Sequence, residues 1–194
     1  MNAPHKHIRM LEDAGQGTPI VFLQSSEPTS AKVIAALTPN FRVVTFDISA
    51  AESKDGEGEL ISALNKLGPS VGVVASSAVA TRVLQLALEH PDLANAVALI
   101  SPPALAASDK DLSEALANLK APVLAMFGSR DAVELEPGRR IYKQAIPKCH
   151  MMFVYDTDSA MAEQRPEAVA GALRDFMTLR EGFLVTTKSG KIYP

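Results

Sequence analysis

The stretch Val71-Gly-Val-Val-Ala-Ser-Ser-Ala-Val-Ala-Thr-Arg-Val-Leu-Gln-Leu-Ala-Leu-Glu-His-Pro91 decides how the rest of the chain is read. It opens on an apolar run of strand length. Small residues follow at Ala75-Ser76-Ser77-Ala78, where a chain can turn sharply. From residue 78 to residue 90 the apolar positions recur at helical spacing, and Pro91 ends the run. Strand, tight turn and helix together set Ser77 at the tip of the turn.

The same alternation extends in both directions. Residues 29–37, 58–67, 109–118, 138–145 and 166–179 carry helical periodicity. Residues 42–47, 70–74, 96–101, 122–128 and 151–155 are short apolar runs. In the last helix Val169, Leu173, Phe176 and Met177 share one face. Apolar strands alternating with helices predict a largely parallel sheet covered on both faces. At the start, residues 7–12 alternate, a glycine-rich turn follows, and residues 19–23 are apolar, which predicts an opening hairpin. No repeat or linker divides residues 1–182, so they read as one domain. The tail 183–194 has two β-prone pieces around Ser189-Gly190 and reads as a small hairpin, a frayed end, or an assembly strand for self-association.

Composition narrows the function classes. The chain has 194 residues, 47% hydrophobic and 21% charged, as soluble globular domains do. A net charge of -3 and an aromatic share of 5% leave neither a basic face for phosphates nor stacking platforms for bases, so nucleic acid is not an expected partner. No apolar run approaches the roughly 20 residues of a membrane span, and the N-terminus lacks a signal-peptide core. A single cysteine, Cys149, cannot form an internal disulfide and reads as a buried thiol in a reducing, cytoplasmic setting. No metal-ligand spacing is present, and the glycine pattern before residue 19 does not make a dinucleotide site, so no cofactor is expected.

Several segments together resemble the α/β-hydrolase superfamily over nearly the full length. Gly15-Gln-Gly-Thr-Pro-Ile-Val-Phe-Leu23 is similar to the approach to that family's third strand. Residues 78–91 are similar to the helix after its nucleophile. Pro122-Val-Leu-Ala-Met-Phe-Gly-Ser-Arg-Asp131 resembles the strand and turn that deliver its acid, and residues 155–169 its histidine loop and final helix. The resemblance implies an α/β-hydrolase-like, mainly parallel sheet with helices on both faces. Only residues 104–120 lie between the family's sixth strand and the acid strand, too few for a cap domain.

Residue by residue, the resemblance places Ser77 as nucleophile and Asp131 as acid. The histidine position is held by Ser159, preceded by Asp158. Gln24, Ser25 and Ala78 fall where backbone or amide donors would hold an oxyanion. Each has a structural reading beside the functional one. Ser76 or Ser77 would cap the helix, and Asp131 would cap a turn. Val79, bulky and β-branched, is expected to relax the elbow. His5, His7, His90 and His150 read as surface or capping residues. Without imidazole a serine hydroxyl has no base near neutral pH. The expected function is therefore a small-ligand binder or interaction module without Ser-His-Asp hydrolysis. The other reading is an ester or acyl hydrolase using Ser77 and Asp131 with Asp158 or water as base.

Overall fold

The computed structural model describes residues 8–25, 29–49, 54–77, 79–105, 110–131, 136–186 and 191–192. The strands are β1 (Arg9–Ala14), β2 (Pro19–Gln24), β3 (Arg42–Asp47), β4 (Val71–Ser76), β5 (Ala94–Ile100), β6 (Val123–Gly128), β7 (Cys149–Val154) and β8 (Lys191–Ile192). The helices are α1 (Ala31–Leu37), α2 (Lys54–Leu67), α3 (Val79–Glu89), α4 (Lys110–Ala115), α5 (Glu136–Ala145), α6 (Met161–Gln164), α7 (Pro166–Leu179) and α8 (Glu181–Thr186). A 3-10 turn at Leu116–Asn118 follows α4. Apolar runs bounded by turn residues became the strands, and amphipathic runs became the helices that cover them.

The eight strands form one sheet in the order β1-β3-β2-β4-β5-β6-β7-β8. Only β1 runs antiparallel, against β3; every other pair is parallel. Successive residues of a strand face opposite sides, and the two cores follow that rule. Val21, Leu23, Val73, Leu99 and Ala125 pack with Leu64 of α2, Val83 of α3 and Tyr142 of α5. Ile20, Phe22, Val74, Ala98 and Leu124 pack with Ile34 of α1 and Leu173 and Phe176 of α7. Between β5 and β6 the described residues hold α4 and the 3-10 turn, and no cap domain.

Two sequence expectations are corrected here. β1 and β2 do not form a hairpin: β3 lies between them. Nearly all of β2 is buried, so it needs a neighbour on each side, whereas the side chains of β1 are largely exposed and suit an edge. Gly15 makes the detour possible. At φ +79°, an added Cβ would stand 2.2 Å from the Phe41 carbonyl oxygen. Nor is the tail a hairpin. Phe183 belongs to α8 and is buried against His150 and Phe176, with ring centroids at 5.2 and 5.6 Å. The later piece, Lys191–Ile192, pairs parallel with β7. Residues 187–190 lie outside the described residues. Apolar burial of Phe183 outweighs the local turn propensity that suggested a hairpin. Among the described residues, no helix is long and apolar enough to cross a membrane.

Candidate functional site

Strand order places the site before any side chain is considered. From β2 the chain leaves through α1 on one face of the sheet, and from β4 it leaves through α3 on the other. A crevice opens where neighbouring parallel strands send their connections to opposite faces, outside their carboxyl ends. β2 and β4 are such neighbours. A cavity of about 170 Å³ lies there, lined by Ser76 at the end of β4, Ser77 after it, and Thr29 and Ser30 before α1. Ile100, Ser159, Ala160, Ala162 and Glu163 complete its wall.

Ser77 sits at the turn with φ +46°, a left-handed backbone that an L residue adopts only under constraint. The constraint is visible. Its N–H donates to the Ile100 carbonyl at 3.0 Å, fixing it to the neighbouring strand, and its own carbonyl accepts the Ala80 N–H at 3.1 Å as α3 begins. The expectation that Val79 would relax this turn is therefore overturned. Val79 is buried in the core beneath α3, so its branched side chain turns away from the elbow. Ala78 lies outside the described residues.

Gln24 is buried, and its side-chain oxygen accepts the Thr29 N–H at 2.8 Å. The amide thus ties together the two ends of the loop after β2. Ser25, half-buried, is the last described residue before that loop's undescribed part, 26–28.

Asp131 stands in the turn after β6. Its Oδ2 accepts the Gly128 N–H at 2.9 Å, which is the turn-capping arrangement. It does not line the Ser77 cavity. That turn is joined to the Ser159 loop instead: the Arg130 N–H donates to Thr157 O at 2.7 Å. A Cβ on Gly128 would lie 2.4 Å from the same oxygen, so only glycine allows the approach.

Ser159 lines the cavity beside Ser77, and its carbonyl accepts the Ser101 hydroxyl at 3.2 Å. The loop around it is held by its own bonds. Asp158 Oδ1 accepts the Ala160 N–H and the Gln164 side-chain amide, each at 2.9 Å. Those two bonds, the Ala160 N–H foremost, hold the Asp158 carboxyl below its ordinary range, and Arg130 adds to them. A carboxylate stabilised in its charged form is a poor proton acceptor. Asp158 is thereby weakened as a candidate base.

The described histidines lie elsewhere. His90 follows α3 and faces Glu57 of α2, Nε2 to Oε1 3.9 Å. His150 is buried on β7 against Phe183, which corrects its reading as a surface or capping residue. His5 and His7 lie outside the described residues. The single cysteine is also buried, and burial pushes the Cys149 thiol up to about 12. No nucleophile is made there.

Sequence reasoning missed Thr29, Ser30 and Glu163 as wall residues. The helical run at 29–37 hid Ser30 inside a helix that starts one residue later. Glu163 belongs to α6, a four-residue helix too short for periodicity to register.

No family model and no curated protein matches the chain. Solved structures do. An α/β-hydrolase enzyme from the metagenome of sediments of the Mar Chica lagoon, Morocco, superposes with a TM-score of 0.72 at 15% identity, covering 88% of this chain and 94% of that one. A serine hydrolase involved in carbazole degradation gives 0.73 at 16% identity, over 87% and 93% of the two chains. Naproxen esterase, a carboxylesterase from Bacillus subtilis, gives 0.69 at 12% identity, over 84% and 85%. The chain has the α/β-hydrolase fold.

Proposed function

We propose that this α/β-hydrolase-fold chain holds a small polar ligand at Ser77 and does not carry out Ser-His-Asp hydrolysis. The observation that carries this reading is the wall of the Ser77 cavity. Among the described residues it offers hydroxyl groups and one carboxylate, and no histidine lines it. In a serine protease, loss of the histidine alone costs roughly a millionfold in turnover, about as much as loss of the whole triad. Asp131, committed to the Gly128 N–H outside the cavity, supports the same reading. A pocket of about 170 Å³ suits a compact ligand, since drug-sized sites begin at about 300 Å³.

A second reading is favoured by one specific observation, the left-handed backbone at Ser77. Strain of that kind is stored at working sites, and Glu163 in the same wall is a carboxylate within the cavity that holds the serine. On this reading the chain is an ester or acyl hydrolase whose Ser77 is served by a base other than imidazole.

Incubation with a small serine-reactive fluorophosphonate, followed by peptide mapping, separates the two. The ligand-holding reading expects no adduct at Ser77 in protein that retains its far-UV circular dichroism. Stoichiometric modification of Ser77, lost in Ser77→Ala, would establish the hydrolase reading instead.

A further inference from the structure

Ser30 carries a hydroxyl that the fold does not use. It occupies the N-cap of α1 with φ -49° and ψ 123°, where a serine side chain ordinarily accepts a backbone N–H of the first turn. It makes no such bond. Its carbonyl oxygen accepts the Val33 N–H, the donor a side-chain cap would take, at 3.0 Å, and the Ile34 N–H at 3.2 Å as the first bond of the helix. The residue is only 3% exposed, and its Oγ has no hydrogen-bond partner among the described residues. Buried polar groups are nearly always paired, because an unpaired one loses its water and gains nothing. A partner arriving from outside would account for the exception, and Ser30 lines the Ser77 cavity.

The rest of the wall states which partner fits. Thr29, Ser76, Ser77 and Ser159 bring hydroxyls that donate or accept, Ile100 is apolar, and among the described residues no lysine or arginine lines the cavity. Glu163 is the one charged residue of the described wall. An anion entering here would give up its hydration to face a carboxylate, with no compensating cation among the described wall residues. An uncharged molecule bearing an oxygen acceptor loses far less and meets the idle Ser30 hydroxyl.

We infer that Ser30 donates a hydrogen bond to an oxygen atom of a small uncharged ligand seated against Ser77, and that the cavity selects such ligands over anions of the same shape. This rests on the reading of the Ser77 cavity as a ligand site and adds the chemical class of the ligand.

The test uses the full chain, labelled with nitrogen-15, titrated with butyramide and with isosteric butyrate up to on the order of tens of millimolar, the range expected for so small a ligand. Butyramide should move the backbone amides of Ser76, Ser77, Ile100 and Ala162, and butyrate should leave them in place. Ser30→Ala should weaken butyramide by about three- to tenfold, the worth of one hydrogen bond. The same change removes an unpaired buried hydroxyl, so it should raise the unfolding temperature of the free protein by about 2–4 °C. Thr45 provides the control, being the second buried hydroxyl without a partner among the described residues, placed in β3 away from the cavity wall. Thr45→Val should stabilise without changing butyramide affinity.

Unchanged butyramide binding in Ser30→Ala, or a lowered unfolding temperature, overturns the role of Ser30 and leaves the cavity as a ligand site. Equal binding of butyrate overturns the selectivity. If neither compound moves an amide of the wall, the reading of the cavity as a ligand site fails as well.

Discussion

The two ends of the sheet carry nucleophile-type residues in opposite circumstances. At the amino end of β7, Cys149 and His150 are neighbours in sequence and both are buried. Consecutive strand residues face opposite sides, so the thiol packs into the core on one face and the imidazole against Phe183 on the other. Burial drives the thiol up and the imidazole down, each toward its uncharged form. At the carboxyl end of β4, Ser77 is half-buried, strained, and beside a cavity. The stronger nucleophile and the better base thus stand buried in the two cores, and the weaker nucleophile stands beside a cavity. Residue type sets what a group can do; its place on the sheet sets whether it does it.

The largest expected effect falls at the carboxyl end. Gly128 permits the turn bearing Asp131 to lie against the Thr157 carbonyl, and any Cβ would collide with backbone. Gly128→Ala should cost about 2–3 kcal/mol in urea denaturation and displace the Ser159 loop. A loss below about 0.5 kcal/mol would show the two turns to be independent and the carboxyl end to be loosely built.

An intermediate effect is expected at the amino end. The ordinary histidine value is 6.5, and burial foremost holds His150 below it. The unfolded chain therefore takes up a proton at a pH where the folded chain resists it. Stability on this account is fully present above pH 6.5 and is lost as pH falls through 6.5 toward the lowered folded value. Urea midpoints across that window should slope in the native chain and slope less in His150→Phe. Equal slopes would place His150 in water and blur the contrast between the ends.

The smallest effect is at Ser77. Glycine adopts its backbone freely, so Ser77→Gly should stabilise by about 1 kcal/mol. A destabilising result would mean that the hydroxyl contributes more to the fold than the strain costs.

The elements were legible because their period is local. The spans 42–47 and 166–179 match β3 and α7 to the residue, since β3 is a short apolar run buried on both faces and α7 buries one regular face. Ser77 and Ser159 line one cavity because the order of strands and turns brings their loops together, whereas Asp131 does not line it. Ser30 was not legible. A serine before a helix reads as a cap, and only the folded chain reveals that the Val33 N–H goes to its carbonyl while its hydroxyl is left over. The state of the elbow was hidden for a related reason. A β-branched residue two positions after Ser77 signals crowding only if its side chain faces the turn, and Val79 faces the core.

The sequence by itself determined the alternation of strands and helices, the two-sided burial of the sheet, and the absence of histidine at position 159. These follow from apolar period and residue identity, which require no knowledge of distant neighbours. Tertiary structure alone decided that β3 separates β1 from β2, that Phe183 closes the core over His150, and that Ser77 keeps a left-handed backbone. It also decided that Ser30 and Glu163 face the cavity with Ser77 while Asp131 turns back onto Gly128. Each of these depends on contacts between residues far apart in the chain, where packing and hydrogen bonding across strands outweigh local preference.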